Sequence, residues 1–285
     1  MKKYDELITI CMVSFHSDEI IKKTLKIIPP KYQVIITDNA LSESLKNNLE
    51  NYFQNVKVIT PGYNLGNGGG INFALDKINS KYVLYLDVDI EFKKDTIDRL
   101  LKIADQESNW AIIAPNLENF IYKKNCYLEK NISQETSSMN FVEGCALLFN
   151  MDVLRKIGFY DENIFLYFEE NDLFFRCLKN NSKILLCNNI FMKHIGNSSV
   201  NKKYNFEIEL NRNWHYMWSK FYYYKKNYSY MRGFSETVYQ FIRSILKLTF
   251  YYFLNKKKFM VYKNRFSGLY NSYLNKKSWR RPFIE

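Results

Sequence analysis

The chain of 285 residues is 47% hydrophobic, with five prolines, ten glycines and no low-complexity tract, which excludes a disordered or fibrous protein and allows one large domain or a domain with an appendage. Its net charge of +12 belongs to one end: residues 213–285 hold 15 Lys and Arg against two acids, Glu236 and Glu285, a net of +13, and the residues before them sum to −1. Five cysteines without a CxxC pair argue against a disulfide framework or a zinc ribbon and for buried thiols in a reducing compartment.

Asp5 and Glu6 precede a short apolar run, ITICMVSF (8–15), a pattern unlike a signal peptide, so cytoplasmic residence is the expectation. That run is rich in β-formers and reads as a buried strand. A helix follows over 17–28, with Ser17 at the N-cap and Pro29-Pro30 as the stop. YQVIITDNA (32–40) reads as a strand, 42–53 as a helix and VKVIT (56–60) as a strand. The glycine-rich loop PGYNLGNGGG (61–70) leads into a helix at INFALDKIN. KYVLYLDVDIEF (81–92) is the most strand-like run, and TIDRLLKIADQ follows as a helix. Alternation of this kind predicts βαβ units and a mostly parallel sheet, with ligands at the carboxyl ends of the strands.

Two polar clusters fall at such ends, Asp38-Asn39 and Asp87-Val88-Asp89. Asp is depleted in strands, so the pair in YLDVDI needs a reason. A hard cation, Mg²⁺ or Mn²⁺, supplies one through carboxylate and diphosphate oxygens; a strand-to-turn transition with a helix cap is the alternative. NLGNGGGIN has neither P-loop nor GxGxxG spacing. Its glycines would let backbone amides approach a phosphate or sugar, or would form a flexible turn. Asp38-Asn39 could bind a base or ribose, or form an Asx-turn. His194 could complete a carboxylate-rich metal site; His16 and His215 read as structural.

FLYFEENDLFFR (165–176) sets Glu169, Glu170 and Asp172 among apolar neighbours, where an unpaired carboxylate is costly. Glu169, Asp172 and Arg176 fall at i, i+3 and i+7 on a helix, compatible with charges at a helix N-terminus and an Asp172–Arg176 pair. Glu170 is left unassigned, as a general base would be.

Taken in order, VSF, TDNA, NLGNGGGIN, LDVDI, EGCALLF, GFYDENIFLYFEENDLFFR and KHIGNSS resemble the family 2 inverting glycosyltransferases, most closely the bacterial rhamnosyltransferase and galactofuranosyltransferase-like branch, over about residues 8–200. The resemblance implies a GT-A fold, a Rossmann-like α/β domain with a mostly parallel central sheet, here followed by a basic, aromatic-rich helical extension. It implies a nucleotide-diphosphate sugar donor and Mg²⁺ or Mn²⁺. Asp38 would contact the nucleobase with Ser14 lining the same pocket, and Asn64 and Gly69 of the glycine-rich stretch would also serve the substrate. Asp89 would bind the metal, Asp87 the ribose or metal, and His194 the metal. The family's acidic cluster reads E-D-x-D, its second acid the catalytic base; here that position is Glu170, with Glu169 and Asp172 beside it expected to serve the substrate site and to hold the helix. Glu is longer by a methylene, and a misplacement of about 1 Å can cost roughly 10²-fold in rate. Ser42 stands one place late for the family's Asp-Asn-x-Ser and receives no role.

The expected domains are therefore a catalytic one over 1–212 and a membrane-associating tail over 213–285. In residues 236–248, Val238, Phe241, Ile242, Ile245 and Leu248 share one helical face, opposite Gln240, Arg243, Ser244 and Lys247. A spanning helix would bury Arg243 and Lys247 at about 2.5–3.5 kcal/mol each. The tail therefore reads as an interfacial helix on an anionic membrane, or as an extension packed on the catalytic domain or on a second copy, a possible homodimer. Nucleic acid is set aside because no recognition module accompanies the aromatics and lysines. The leading expectation is transfer of a sugar, rhamnose favoured, to a lipid-linked glycan acceptor at the inner membrane face in surface polysaccharide synthesis. UDP-galactofuranose or UDP-N-acetylhexosamine donors share the motif order. A nucleotidyltransferase would need a basic glycine-rich loop after the first strand, where VSFHSDE stands. A catalytically weak binding module is the remaining alternative.

Overall fold

The computed structural model describes residues 6–131, 133–196 and 202–284. The chain divides into two compact units, one of residues 1–65, 70–159 and 173–200, the other of 66–69, 160–172 and 201–285.

The first unit is built on a ten-stranded sheet. Its parallel half comprises β1 (Ile8–Ser14), β2 (Gln33–Asp38), β3 (Val56–Ile59) and β4 (Tyr82–Leu86), in the spatial order β3-β2-β1-β4. Helices α1 (Asp18–Leu25), α2 (Glu43–Tyr52) and α3 (Gly66–Leu75) supply the crossovers. A short β5 (Ile90–Glu91) and helix α4 (Thr96–Gln106) follow. Next come β6 (Trp110–Leu117), β7 (Tyr127–Glu129), β8 (Thr136–Met139), β9 (Ala146–Asn150) and α5 (Met151–Ile157). Helix α6 (Glu169–Lys179) and the long β10 (Lys183–His194) complete the sequence. Beyond β4 the order is β9-β6-β10-β8-β7. Strand β9 runs antiparallel to both β4 and β6, and β10 is parallel to β6. Most strands therefore point one way, as the alternating pattern predicts. The core is aliphatic: Ile10, Met12, Ile36, Leu84 and Leu148 are closed from solvent, and Ile21, Leu45 and Leu100 pack on them from α1, α2 and α4. All five cysteines are free thiols, four of them buried.

Three local expectations change. The strand predicted over 81–92 breaks at Asp87–Asp89, which form a turn between β4 and β5. Gly68, Gly69 and Gly70 lie inside α3 rather than in a loop before it. Ser17 stands at the N-cap of α1 without capping it; its hydroxyl donates to the Phe15 carbonyl and accepts from the Phe15 amide. Ser42 is a true cap of α2, accepting from the Leu45 amide at 3.1 Å.

The second unit contains helices α7 (Asn205–Asn227), α8 (Tyr230–Leu254) and α9 (Lys256–Tyr273). Met217, Phe221 and Leu269 form its buried centre. Gly268 admits the Trp214 carbonyl at a distance no Cβ would tolerate, and Gly233 receives the Phe221 ring. The boundary expected at 212/213 falls within α7, and the unit also takes in the two short segments 66–69 and 160–172. On α8 the apolar face read from the sequence is divided between partly buried Val238, Phe241 and Leu248 and exposed Ile242 and Ile245. Gly233, Thr237 and Ser244 are buried, whereas Ile242 and Ile245 are exposed. Small side chains allow close helix approach here, and ring stacking of Phe241 on Phe266 at 5.2 Å supplies the apolar contact.

Candidate functional site

The turn after β4 carries the clearest cluster in the sheet unit. The ligand-capable atoms of Asp87, Asp89 and His194 all lie within 4.8 Å of one another. Nε2 of His194 is 3.1 Å from Asp89 Oδ1 and 3.6 Å from Asp87 Oδ2. The pairing of β5 with β10 sets His194 opposite Ile90, bringing a residue over a hundred positions away against Asp89.

The turn is braced on every side. The Asp87 amide donates to the Cys145 carbonyl at 2.8 Å, and the Ile195 amide to the Asp89 carbonyl at 3.0 Å. The Thr24 hydroxyl donates to the Val88 carbonyl at 2.6 Å, and Asn119 donates to the His194 carbonyl at 2.7 Å. The Tyr85 hydroxyl donates to Asp87 Oδ1 at 2.5 Å.

The electrostatics agree with a cation site. Desolvation raises the Asp87 carboxyl to about 6, against the opposing hydrogen bond from Tyr85 and the charge of His194. The hydrogen bond to Asp89 raises His194 above its ordinary value despite burial, with Asp87 and Glu143 adding to it. Burial also raises Glu143, which faces His194. Two carboxylates and one imidazole suit Mn²⁺ or Mg²⁺, and a divalent ion would offset the carboxylates' desolvation. The residues fit the metal. Glu143 and Tyr85 escaped sequence reasoning, although Tyr85, two places before Asp87, shares its strand face by period 2.

Ser14 and Asp38 end neighbouring parallel strands and pair in register, both closed from solvent. Asp38 accepts from the Ser42 amide at 2.8 Å and the Ala40 amide at 3.3 Å. Burial nevertheless raises its pKa above the ordinary carboxylate value, the two amides opposing. The Asx-turn reading of Asp38 is thus realised in the fold. Asn64 is half-buried just before α3, where the Leu65 amide donates to Asn39 Oδ1 at 3.0 Å. Gly70 packs against Val13 and Asn39.

Gly66, Gly68 and Gly69 belong to the second unit. Gly66 has φ +80°, and a Cβ there would sit 2.1 Å from the Phe165 carbonyl oxygen. The Asn67 amide donates to that same oxygen at 3.1 Å. Gly68 packs on Tyr160 and Glu169, and Gly69 is buried in the first turn of α3. In the fold the glycines admit the 160–172 segment; a loop open to a phosphate is not what they form.

That segment opens the acidic helix. Tyr167 and Phe168 both have φ +66°, a left-handed conformation that costs of order 1–3 kcal/mol per non-glycine residue and persists where surroundings enforce it. Helix α7 enforces it. Tyr167 and Phe168 pack on Tyr216 at 5.6 and 5.7 Å between ring centroids, Phe168 also packs on Tyr223, and Ser219 donates to the Leu166 carbonyl. Asp172 is fully buried and bound by Lys226 at 2.8 Å and by Asn227 at 3.0 Å. Asp161 takes the same Lys226 at 2.7 Å and Tyr222 at 3.0 Å. Burial alone would raise Asp161, but the Lys226 hydrogen bond and the Asn163 amide outweigh it and hold it low. Glu169 is buried with Asn67 at 3.4 Å, whereas Glu170 is half-buried. The two flanking acids therefore anchor this segment; Lys226, more than fifty residues later, carried no local signal. Arg176 donates to the carbonyls of Ile157, Gly158 and Phe159, a role not foreseen for it. The last three residues of KHIGNSS, 197–199, lie outside the described residues.

Residues 9–158, more than half of the chain, match the family model described as glycosyl transferase family 2. Over 200 residues the chain is 26% identical to the low-salt glycan biosynthesis hexosyltransferase Agl10 of Haloferax volcanii, covering 63% of this chain and 64% of that relative. The match thus spans just under two-thirds of the relative's length. The mannosyltransferase PcManGT from Pyrobaculum calidifontis, solved with GDP-Man and Mn²⁺, is similar with TM-score 0.57 at 10% identity, over 95% of this chain and 88% of its own. TarS 1–349 of S. aureus is similar with TM-score 0.55 at 14% identity, over 96% of this chain and 93% of its own. At such identities the likeness establishes the fold, which is GT-A. The chain belongs to glycosyl transferase family 2.

Proposed function

We propose that the protein is a metal-dependent inverting glycosyltransferase that moves a sugar, rhamnose in the favoured reading, from a nucleotide-diphosphate donor to a lipid-linked glycan at the inner face of the cytoplasmic membrane. One observation carries it: Asp87, Asp89 and His194 converge at a strand end of a GT-A sheet. The Mn²⁺ and nucleotide-sugar complexes of proteins with this fold support the donor class.

Asp89 and His194, with Asp87, would hold Mn²⁺ or Mg²⁺, which when bound neutralises the departing diphosphate. Ser14, Asp38 and Asn64 are assigned to the nucleotide. Glu170 is assigned as the base. It takes the proton of an acceptor hydroxyl, whose oxygen bonds to the anomeric carbon as the bond to the diphosphate breaks on the opposite face.

The test is a binding and turnover panel of dTDP-, UDP- and GDP-sugars with and without Mn²⁺. One donor binds in a metal-dependent manner, Asp89→Ala abolishes that binding, and Glu170→Gln keeps binding while losing turnover. Binding of UDP-galactofuranose or a UDP-N-acetylhexosamine in place of dTDP-rhamnose reassigns the sugar. Failure of every donor under every metal refutes the reading.

A further inference from the structure

Helix α8 buries Gly233, Thr237 and Ser244 and packs Phe241 on Phe266. Gly233 sits against Phe221, the Thr237 hydroxyl reaches the Gly233 carbonyl at 2.7 Å and Tyr273 at 2.9 Å, and the Ser244 hydroxyl turns back to the Gln240 carbonyl. The opposite side carries Tyr239, Ile242, Leu246, Phe250 and Phe253, all exposed, with Leu246 at 64% and Phe253 at 88%. Their spacing of three and four residues draws one stripe along a helix of 25 residues. A contiguous exposed apolar surface of this kind marks an interaction site.

Charge decides the occupant. The only acid on α8, Glu236, is engaged by Arg232 at 2.6 Å. Arg243 and Lys247 border the stripe, Lys247 lying over the rings of Phe250 and Tyr251 at 5.4 Å each. Lys256, Lys257 and Lys258 are exposed where α9 begins, immediately after the stripe ends. A second copy of this face would bring those cations against one another with no acid to meet them, which is unfavourable. An anionic bilayer answers both features, with aromatic and aliphatic side chains at the acyl boundary and cations among the headgroups. No helix of the described residues is long and apolar enough to cross a membrane.

We propose that the Tyr239–Ile242–Leu246–Phe250–Phe253 stripe of α8, bordered by Arg243, Lys247 and Lys256–Lys258, docks on an anionic phospholipid surface. This rests on the membrane part of the proposed function and deepens it, shifting the membrane-facing side of α8 from the Val238–Phe241–Ile245–Leu248 line to a stripe that shares Ile242 with it. It is independent of the donor chemistry.

The experiment is vesicle flotation of the full chain on phosphatidylcholine alone and on phosphatidylcholine with about 30 mole percent phosphatidylserine. The wild type floats with the anionic vesicles and not with the neutral ones. The double variant Leu246→Asp, Phe253→Asp loses at least about tenfold in partitioning while keeping its thermal unfolding, because both sites are exposed. Lys256→Gln, Lys257→Gln, Lys258→Gln weakens binding and flattens its salt dependence. Undiminished flotation of the double Asp variant, or equal binding to neutral vesicles, overturns the proposal. So does a concentration-dependent dimer in sedimentation, abolished by the same variant, with no vesicle binding. Donor binding with Mn²⁺, measured alongside, separates failure here from failure of the transferase reading.

Discussion

The ammonium of Lys226 lies 2.8 Å from the carboxylate of Asp172, an acid with no solvent exposure. The same ammonium holds Asp161 at 2.7 Å, so a single cation from α7 ties down both ends of the segment that opens the acidic helix. Removing one partner of a buried pair leaves an uncompensated charge, at about 3–5 kcal/mol. Lys226→Met is expected to destabilise the protein by an amount of that order in urea unfolding. Adding Asp172→Asn should restore part of the loss, read as a non-zero coupling in a double-mutant cycle. Additive single-variant costs would show that the pair stabilises nothing.

Gly66 and Gly62 both adopt positive φ, +80° and +86°, but only Gly66 faces a neighbour, the Phe165 carbonyl oxygen 2.1 Å from the position of a Cβ. Gly62→Ala is expected to cost about 1 kcal/mol, the price of the backbone conformation alone. Gly66→Ala should cost upwards of about 3 kcal/mol, since the segment at Phe165 must move. Equal melting-temperature shifts for the two variants would contradict the packing account.

For the metal cluster, isothermal titration with Mn²⁺ should show Asp89→Asn and His194→Ala each weakening binding by at least about tenfold. Tyr85→Phe, which removes only the hydroxyl on Asp87, should weaken binding by about tenfold, the low end of what partners behind metal ligands are typically worth. A His194→Ala protein binding Mn²⁺ as the wild type does would remove the histidine from the ligand set.

His215 gives the pH prediction. Burial, and then the charges of Arg281 and Arg280, depress it to about 3, against the hydrogen bond to the Arg280 carbonyl at 2.8 Å; the Ser278 hydroxyl lies 3.1 Å from Nδ1. The ring packs at 4.5 Å on Phe165 and beside Trp214. A depressed folded value means that the unfolded chain takes the proton first as pH falls. The contribution of neutral His215 is complete above about 6.5 and drains away toward about 3, by at most about 1.4 kcal/mol per pH unit. His215→Gln is therefore expected to flatten the fall in melting temperature between pH 6.5 and 4.5. An unchanged pH slope would show that His215 does not titrate in this way.

The sequence by itself determined the parts of this protein that rest on short-range periodicity and order. The alternation through residue 106 names β1 to β4 and their helices, because buried strands and amphipathic helices differ in period within a few residues. The DVD stretch and His194 were legible as a metal set from residue type, although only the β5–β10 pairing, a long-range register, brings them within reach of one another. Other features were decided by tertiary structure alone. Three glycines in a row read as a loop, yet they lie inside α3, where Gly68 leaves room for Tyr160 and Gly70 for Val13 and Asn39. The clamp on Asp172 comes from a lysine over fifty residues away, a distance no local pattern spans. On α8 the sequence shows two faces but not which is covered. Gly233 lies against Phe221 of α7 and Thr237 reaches Tyr273 of α9, which leaves the aromatic and aliphatic stripe facing outward.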